Sequence, residues 1–217
     1  MCIRDRNRRA RGAARTALWE HEVRHATFAN VVSDARRAMA RLVEPPADEE
    51  WIGRTYGEDL PLHPLIRTDA ELLEARLEHA RRQPGDQATD TLREGLLLVR
   101  GLPFAGTSFL WPDCQALPSH HTVLVVNAAV EMATRCLRLG DVDGVFWATS
   151  QGMRALPAHD ELVALRMRAH AARGDLAGVR QEYASYERVI MSDPWGGEPS
   201  PKVVELRRDL VRPAPSR

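Results

Sequence analysis

Two short runs decide the fold: Gly140-Asp141-Val142-Asp143-Gly144-Val145 and Gly174-Asp175-Leu176-Ala177-Gly178-Val179. The offset from Gly140 to Gly174 also carries Arg154 onto Arg188. Each Gly-Asp sits between two stretches of helical periodicity, 120–139 with 142–156 and 159–173 with 176–191. A helix–turn–helix unit repeating at this interval, about 34 residues, is the tetratricopeptide pattern. Glycine lets the first helix end in a left-handed cap, and the aspartate can cap the second. Pro157 falls midway between Gly140 and Gly174, where such a repeat ends. One helical hairpin cannot bury its own apolar face, so residues 119–191 are predicted to form two stacked antiparallel hairpins.

Further helices extend the pattern in both directions. Thr68–Arg82 is predicted helical, with Thr68 or Asp69 as its cap and Pro84-Gly85 as its stop. Ala88–Arg100 follows, ending at Gly101. Residues 102–118 carry three prolines and read as a loop holding Phe109 and Trp111. Ser200–Val211 is a last helix, capped at Ser200 with Pro201 in its first turn. Nearer the start, Phe28, Val32, Ala35, Met39 and Leu42 recur at spacings of three and four, one face of a helix over His25–Val43. Pro45-Pro46 ends it. Trp51–Tyr56 and Leu60–Ile66 flank Gly57-Glu58-Asp59 and suggest a small hairpin.

The 217 residues carry 30 basic and 30 acidic side chains, a formal net charge of zero. The distribution is uneven: residues 1–43 hold ten arginines against four acids, and the remainder is correspondingly acidic. A basic end on an acidic body can be a nucleic-acid footprint or a solvated tail. Residues 1–16 are expected to be a disordered basic tail. Met1-Cys2-Ile3-Arg4-Asp5-Arg6 has the look of adapter-derived sequence, and the natural chain is expected to start upstream. Three scattered cysteines argue against a disulfide framework and point to a reducing compartment, so the cytoplasm is the expected location. The run Val123–Ala133, interrupted by Asn127 and Glu131, is too short and polar to span a bilayer.

The run Leu92-Arg93-Glu94-Gly95-Leu96-Leu97-Leu98-Val99-Arg100-Gly101-Leu102-Pro103-Phe104-Ala105-Gly106 resembles the bacterial transcriptional activator domain, the helical-repeat half of antibiotic-pathway regulators. Ala158–Leu162, Met167–Asp175, Glu198–Pro201 and Leu206-Arg207-Arg208 match in the same order, so the resemblance covers residues 68–211. In that family a winged helix precedes the repeats, and residues 17–67 are similar to its second half. Ala17-Leu18-Trp19 resembles the end of its second helix, Val32–Met39 its recognition helix, and 51–66 its wing. Asp34 and Glu58-Asp59 depart from the family's usual basic and Gly-Tyr residues, which opposes phosphate binding. The resemblance implies a mainly α fold, a tetratricopeptide-like repeat domain with a small α+β winged-helix remnant. It implies no enzyme and no cofactor. Its partners would be DNA and other proteins, RNA polymerase or a second copy among them, with no membrane.

With Phe28 at zero and about 100° per residue, the apolar stripe of the helix spans roughly ±40°. Ser33, Arg37, Asn30 and Arg41 then fall on the opposite face, about 140–220° away. With Arg54 on the wing they are the candidate DNA contacts, since Asn can read adenine and Arg can read guanine or hold phosphate. Asp34 flanks this face. A DNA-free interaction scaffold is the rival reading. An enzymatic one rests on His21-Glu22-Val23-Arg24-His25, which matches a zinc-hydrolase pattern if helical. Glu20 and Arg24 are poor surroundings for such a helix, and no third ligand follows. Cys114, His120, His121 and Cys136 lack metal-ligand spacing; Cys136 reads as a small buried hydrophobe. Phe146 or Trp147 is expected to fill space between hairpins.

Overall fold

The computed structural model describes residues 8–19, 21–54, 57–194 and 197–212. The chain divides into two compact units, Met1–Thr68 with Thr107–Gln115, and Asp69–Gly106 with Ala116–Arg217.

The second unit is all helix. It contains α3 (Asp69–Arg81), α4 (Gly85–Leu96), α6 (Leu117–Leu139), α7 (Val142–Ala155), α8 (Asp160–Ala172), α9 (Leu176–Ser192) and α10 (Pro201–Val211). Three successive hairpins form, α3 on α4, α6 on α7 and α8 on α9, and α10 packs over α8 and α9. The mainly helical, repeat-built fold is therefore as expected, with one more hairpin than the Gly-Asp offset revealed. Small residues allow the helices to close up. Ala128, Ala129, Ala133, Ala148 and Ala155 are fully buried beside Leu92, Leu96, Met132, Val145 and Leu162. Gly152 has no room for a side chain: a methyl there would come within 2.7 Å of Leu162 and 2.8 Å of Ala129. A second apolar cluster joins Val163, Met167, Val179, Tyr183 and Tyr186 to Val203 of α10.

The two signature runs act as the sequence predicts. Gly140 and Gly174 end α6 and α8 with φ of +74° and +72°, a conformation glycine adopts without steric cost. Asp141 and Asp175 are the caps of α7 and α9, each accepting from the amide of the glycine three residues on, at 2.9 and 2.8 Å. Ser200 differs: it precedes α10 but its side chain makes no cap bond. Its amide donates instead to the Tyr186 hydroxyl at 2.9 Å, while that hydroxyl donates to Asp160 at 2.7 Å.

The first unit holds β1 (Arg8–Ala10), α1 (Arg11–Leu18), α2 (His25–Leu42), β2 (Asp59–Pro61) and the short α5 (Trp111–Cys114). Residues 8–16 thus depart from the expected disordered tail. β1 pairs antiparallel with β2, Arg9 opposite Leu60, which satisfies its backbone. Ala14 of α1 and Trp19 lie against the Phe28–Val32–Ile52 cluster, which gives the helix an apolar face to cover. The expected hairpin forms between residues 51–53 and 61–63: Ile52 bridges Leu62, the Gly53 amide donates to Pro61 O at 2.9 Å, and the His63 amide to Trp51 O at 2.9 Å. Thr55 and Tyr56, also read as part of this hairpin, lie outside the described residues. α5 interrupts the stretch read from sequence as a loop.

Candidate nucleic-acid interface

α2 buries the stripe read from its sequence. Phe28 and Val32 are buried, and Ala35 and Met39 pack partly covered beside them. Leu42, the last member, is 83% exposed, so the buried face ends one turn before the helix does. The opposite face carries Asn30, Arg37 and Arg41, all exposed, with Ser33 half-buried at its edge.

Two of the candidate cations are held by acids of the same unit. The Arg37 guanidinium pairs with Asp34 one turn earlier, both side chains about two-thirds exposed. Arg54 pairs with Glu50 at 2.9 Å. Exposed pairs of this kind are worth little, so a competing phosphate could open them, but each acid lowers the local positive field. Glu58 and Asp59 are exposed at the turn of the hairpin.

The residue that organises this surface was not singled out from sequence. Arg36 points inward from α2, its Nε donating to Ile52 O at 2.6 Å and an Nη to Gly53 O at 3.2 Å. It therefore clamps the hairpin to the helix. Trp51 Nε1 donates to Val43 O at 2.7 Å, and the Trp51 ring meets His63 edge-on at 5.1 Å. His63 is buried and pairs with Glu49. The available signal was weak: the apolar stripe predicts that Arg36 lies near a stripe boundary, but not that two hairpin carbonyls await it.

The His21–His25 pattern is not helical. His21 lies in the bend before α2, and only His25, the first residue of α2, is in a helix. The two imidazoles therefore do not share the one-turn geometry that zinc ligation needs. Arg15 places a guanidinium nitrogen 3.3 Å from His25 Nε2. Among the described residues no group of three or more His, Cys, Asp or Glu is placed to hold a metal. Cys136 is buried, as expected of a small hydrophobe, and burial together with the neighbouring Asp141 pushes its thiol up to about 11. Among the described residues no helix is long and apolar enough to cross a membrane.

In the repeat unit, Phe146 and Trp147 are partly buried against the main core. The Trp147 ring lies under the Arg93 guanidinium, 4.5 Å away. Phe146 meets His170 edge-on at 4.7 Å and Arg166 at 5.0 Å. Burial and the His120 charge lower the affinity of His121 for a proton, and its ring stacks on Phe104 at 5.6 Å.

Neither the curated proteins nor the solved structures compared with the chain include a match. A family model does match, the bacterial transcriptional activator domain, over residues 67–211. That span takes in every helix from α3 to α10 and two thirds of the chain, while α2 and its hairpin lie outside it. By that match the chain belongs to the bacterial transcriptional activator domain family.

Proposed function

We propose that the chain is a transcription regulator in which α2 and the 51–63 hairpin contact DNA and the helical repeats contact protein. The observation that carries this reading is the family match over 67–211, with a helix preceding it that buries one face and turns Asn30, Arg37 and Arg41 to solvent. A helix followed by a clamped hairpin is the arrangement in which a winged helix offers a recognition element and a wing. On this reading Arg37 is the central contact, with Asn30, Ser33 and Arg41 around it and Arg54 on the wing.

A second reading is favoured by the Asp34–Arg37 and Glu50–Arg54 pairs. If those acids cancel the cations, the first unit is a protein-binding module and the whole chain an interaction scaffold. One titration separates the two. The full chain is mixed with a fluorescent 30-base-pair duplex (about three helical turns), and anisotropy is followed as salt rises. DNA contact through three or four cations gives a log–log salt slope of about −3. Absence of binding at low salt overturns the DNA reading and leaves the scaffold.

A further inference from the structure

The second and third hairpins are equivalent in sequence, but the surfaces they turn to the preceding hairpin are chemically different. Met132, Ala148 and Cys136 are buried in the α6–α7 hairpin. At the equivalent positions, one repeat further on, the α8–α9 hairpin carries Arg166, Glu182 and His170. Arg166 donates to Glu182 at 2.6 Å, and its other terminal nitrogen lies 3.2 Å from Ser150 Oγ and 3.4 Å from Thr149 Oγ1 of α7. The Arg166 Nε is buried and has no hydrogen-bond partner among the described residues. On α7, Trp147 covers the gap towards α4; its equivalent on α9 is Gln181, which is exposed. The gap between α7 and α9 is accordingly left open as a shallow groove of about 440 Å³, floored by Arg166 and lined by Ser150, Met153, Arg154, Glu182 and Ser185. Arg188 stands at its edge, donating to Ser185 Oγ at 3.1 Å.

We infer that this groove docks an extended acidic segment of a partner protein, with carboxylates seated on Arg154 and Arg188. The inference rests on the reading that the repeats contact protein, and it names the chemistry of that partner. Charge decides the choice of occupant. Glu182 is already committed to Arg166 at the floor, which leaves Arg154 and Arg188 as exposed cations at the rim, paired with no acid among the described residues. Arg154 donates to Val99 O at 3.3 Å, a neutral carbonyl. Arg154 and Arg188 occupy equivalent positions on α7 and α9, so their backbones stand on the order of 10 Å apart, about one helix diameter. An extended chain in the polyproline II conformation rises about 3.1 Å per residue and returns to the same face every third residue, so carboxylates three residues apart match the two cations. The serine hydroxyls can serve the peptide's backbone carbonyls, and Met153 offers an adaptable apolar contact.

The test uses the full chain and a fluorescein-labelled, end-capped peptide, Asp-Ala-Ala-Asp-Ala-Ala-Asp, with an Asn-for-Asp version as control. Anisotropy at low salt should show binding of the first and not the second. Arg188→Glu and Arg154→Glu should each weaken binding by about tenfold or more, as reversing one of two seated charges requires. Arg138→Glu, on α6, should stay within about twofold. Should either reversal disturb folding by circular dichroism, Arg188→Gln carries the same expectation with a smaller loss. Hydrogen exchange with bound peptide should protect α7 and α9. Unchanged affinity in the Arg188 variants overturns the inference, and so does displacement of the peptide by a ten-residue oligothymidine that binds more tightly. Protection confined to other helices of 69–211 overturns the groove but leaves the repeats as a protein-contact surface. No protection anywhere in 69–211 overturns both.

Discussion

At the level of single residues, the two glycines of each Gly-Asp-x-x-Gly run serve different physical ends. Gly174 needs its missing side chain for backbone reasons. Its φ is +72°, and no described atom lies within 4 Å of where a Cβ would stand. Gly178 needs it for space, because a Cβ would collide with the capping carboxylate of Asp175 and with the His170 ring. The amide of Gly178, and then His170, hold the Asp175 carboxyl below its ordinary range. A carboxyl depressed in the folded state stabilises it above the ordinary carboxylate pKa, and that contribution fades as pH falls through the depressed value. The two glycines should therefore answer differently to the same substitutions. Gly174→Asn should cost only a few tenths of a kcal/mol, because Asn tolerates the left-handed region. Gly178→Asn should cost about 1–2 kcal/mol through loss of the cap. Gly178→Ala should also destabilise, although alanine in an ordinary helix interior gains up to about 1 kcal/mol over glycine. Denaturant melts of the three variants decide this, and a stable Gly178→Ala protein would show that the cap does not depend on that glycine.

At the level of helices and hairpins, the apolar parts of the fold were legible and the polar interface was not. The Gly-Asp spacing located the turns of two hairpins because those turns depend on local chemistry within four residues. Both helices of the α3–α4 hairpin are legible in the sequence, but their pairing is not, because the connection, Arg82-Gln83-Pro84, lacks that signature. The Arg166–Glu182–His170 group escaped for another reason. Periodicity marks a face as buried only when its residues are apolar, and here three charged or polar side chains replace Met132, Ala148 and Cys136 at the interface with α7. Once seen, the replacement makes a prediction. Arg166 and Glu182 side chains are each about one-fifth exposed, so removing one leaves its partner largely desolvated and uncompensated. Arg166→Met alone should cost about 1–3 kcal/mol, somewhat below the loss for a fully buried pair. Arg166→Met with Glu182→Ala, which restores the residues of the preceding hairpin, should return to within about 1 kcal/mol of the original chain. A double-mutant cycle in urea measures the coupling. Additive losses would mean that the pair is already solvated enough to be independent.

At the level of the whole molecule, a net charge of zero conceals an opposition within the first unit itself. The positive excess of residues 1–43 is answered by Glu44, Asp48, Glu49, Glu50, Glu58 and Asp59, against which the next sixteen residues set only Arg54. Whether α2 can hold a phosphate backbone depends on this local balance, since charges more than about 10 Å apart are screened at ordinary salt. Two double substitutions separate local from total charge, because each raises the net charge by two. Asp34→Asn with Glu50→Gln frees Arg37 and Arg54 on the proposed DNA face. Glu131→Gln with Asp143→Asn frees Arg135 and Arg173 on the repeats, from pairs of 2.7 Å each. Neither acid of the first pair is deeply buried, the side chains being 65% and 36% exposed, so folding should survive. On the DNA-contact reading, the first double variant binds duplex more tightly and steepens the log–log salt slope by up to about 2, close to one released counterion per freed guanidinium. The second leaves the slope where it was. Equal steepening in both variants would trace affinity to total charge rather than to α2. No change in either would mean that this face does not meet phosphate, and the first unit would then be a protein-contact module.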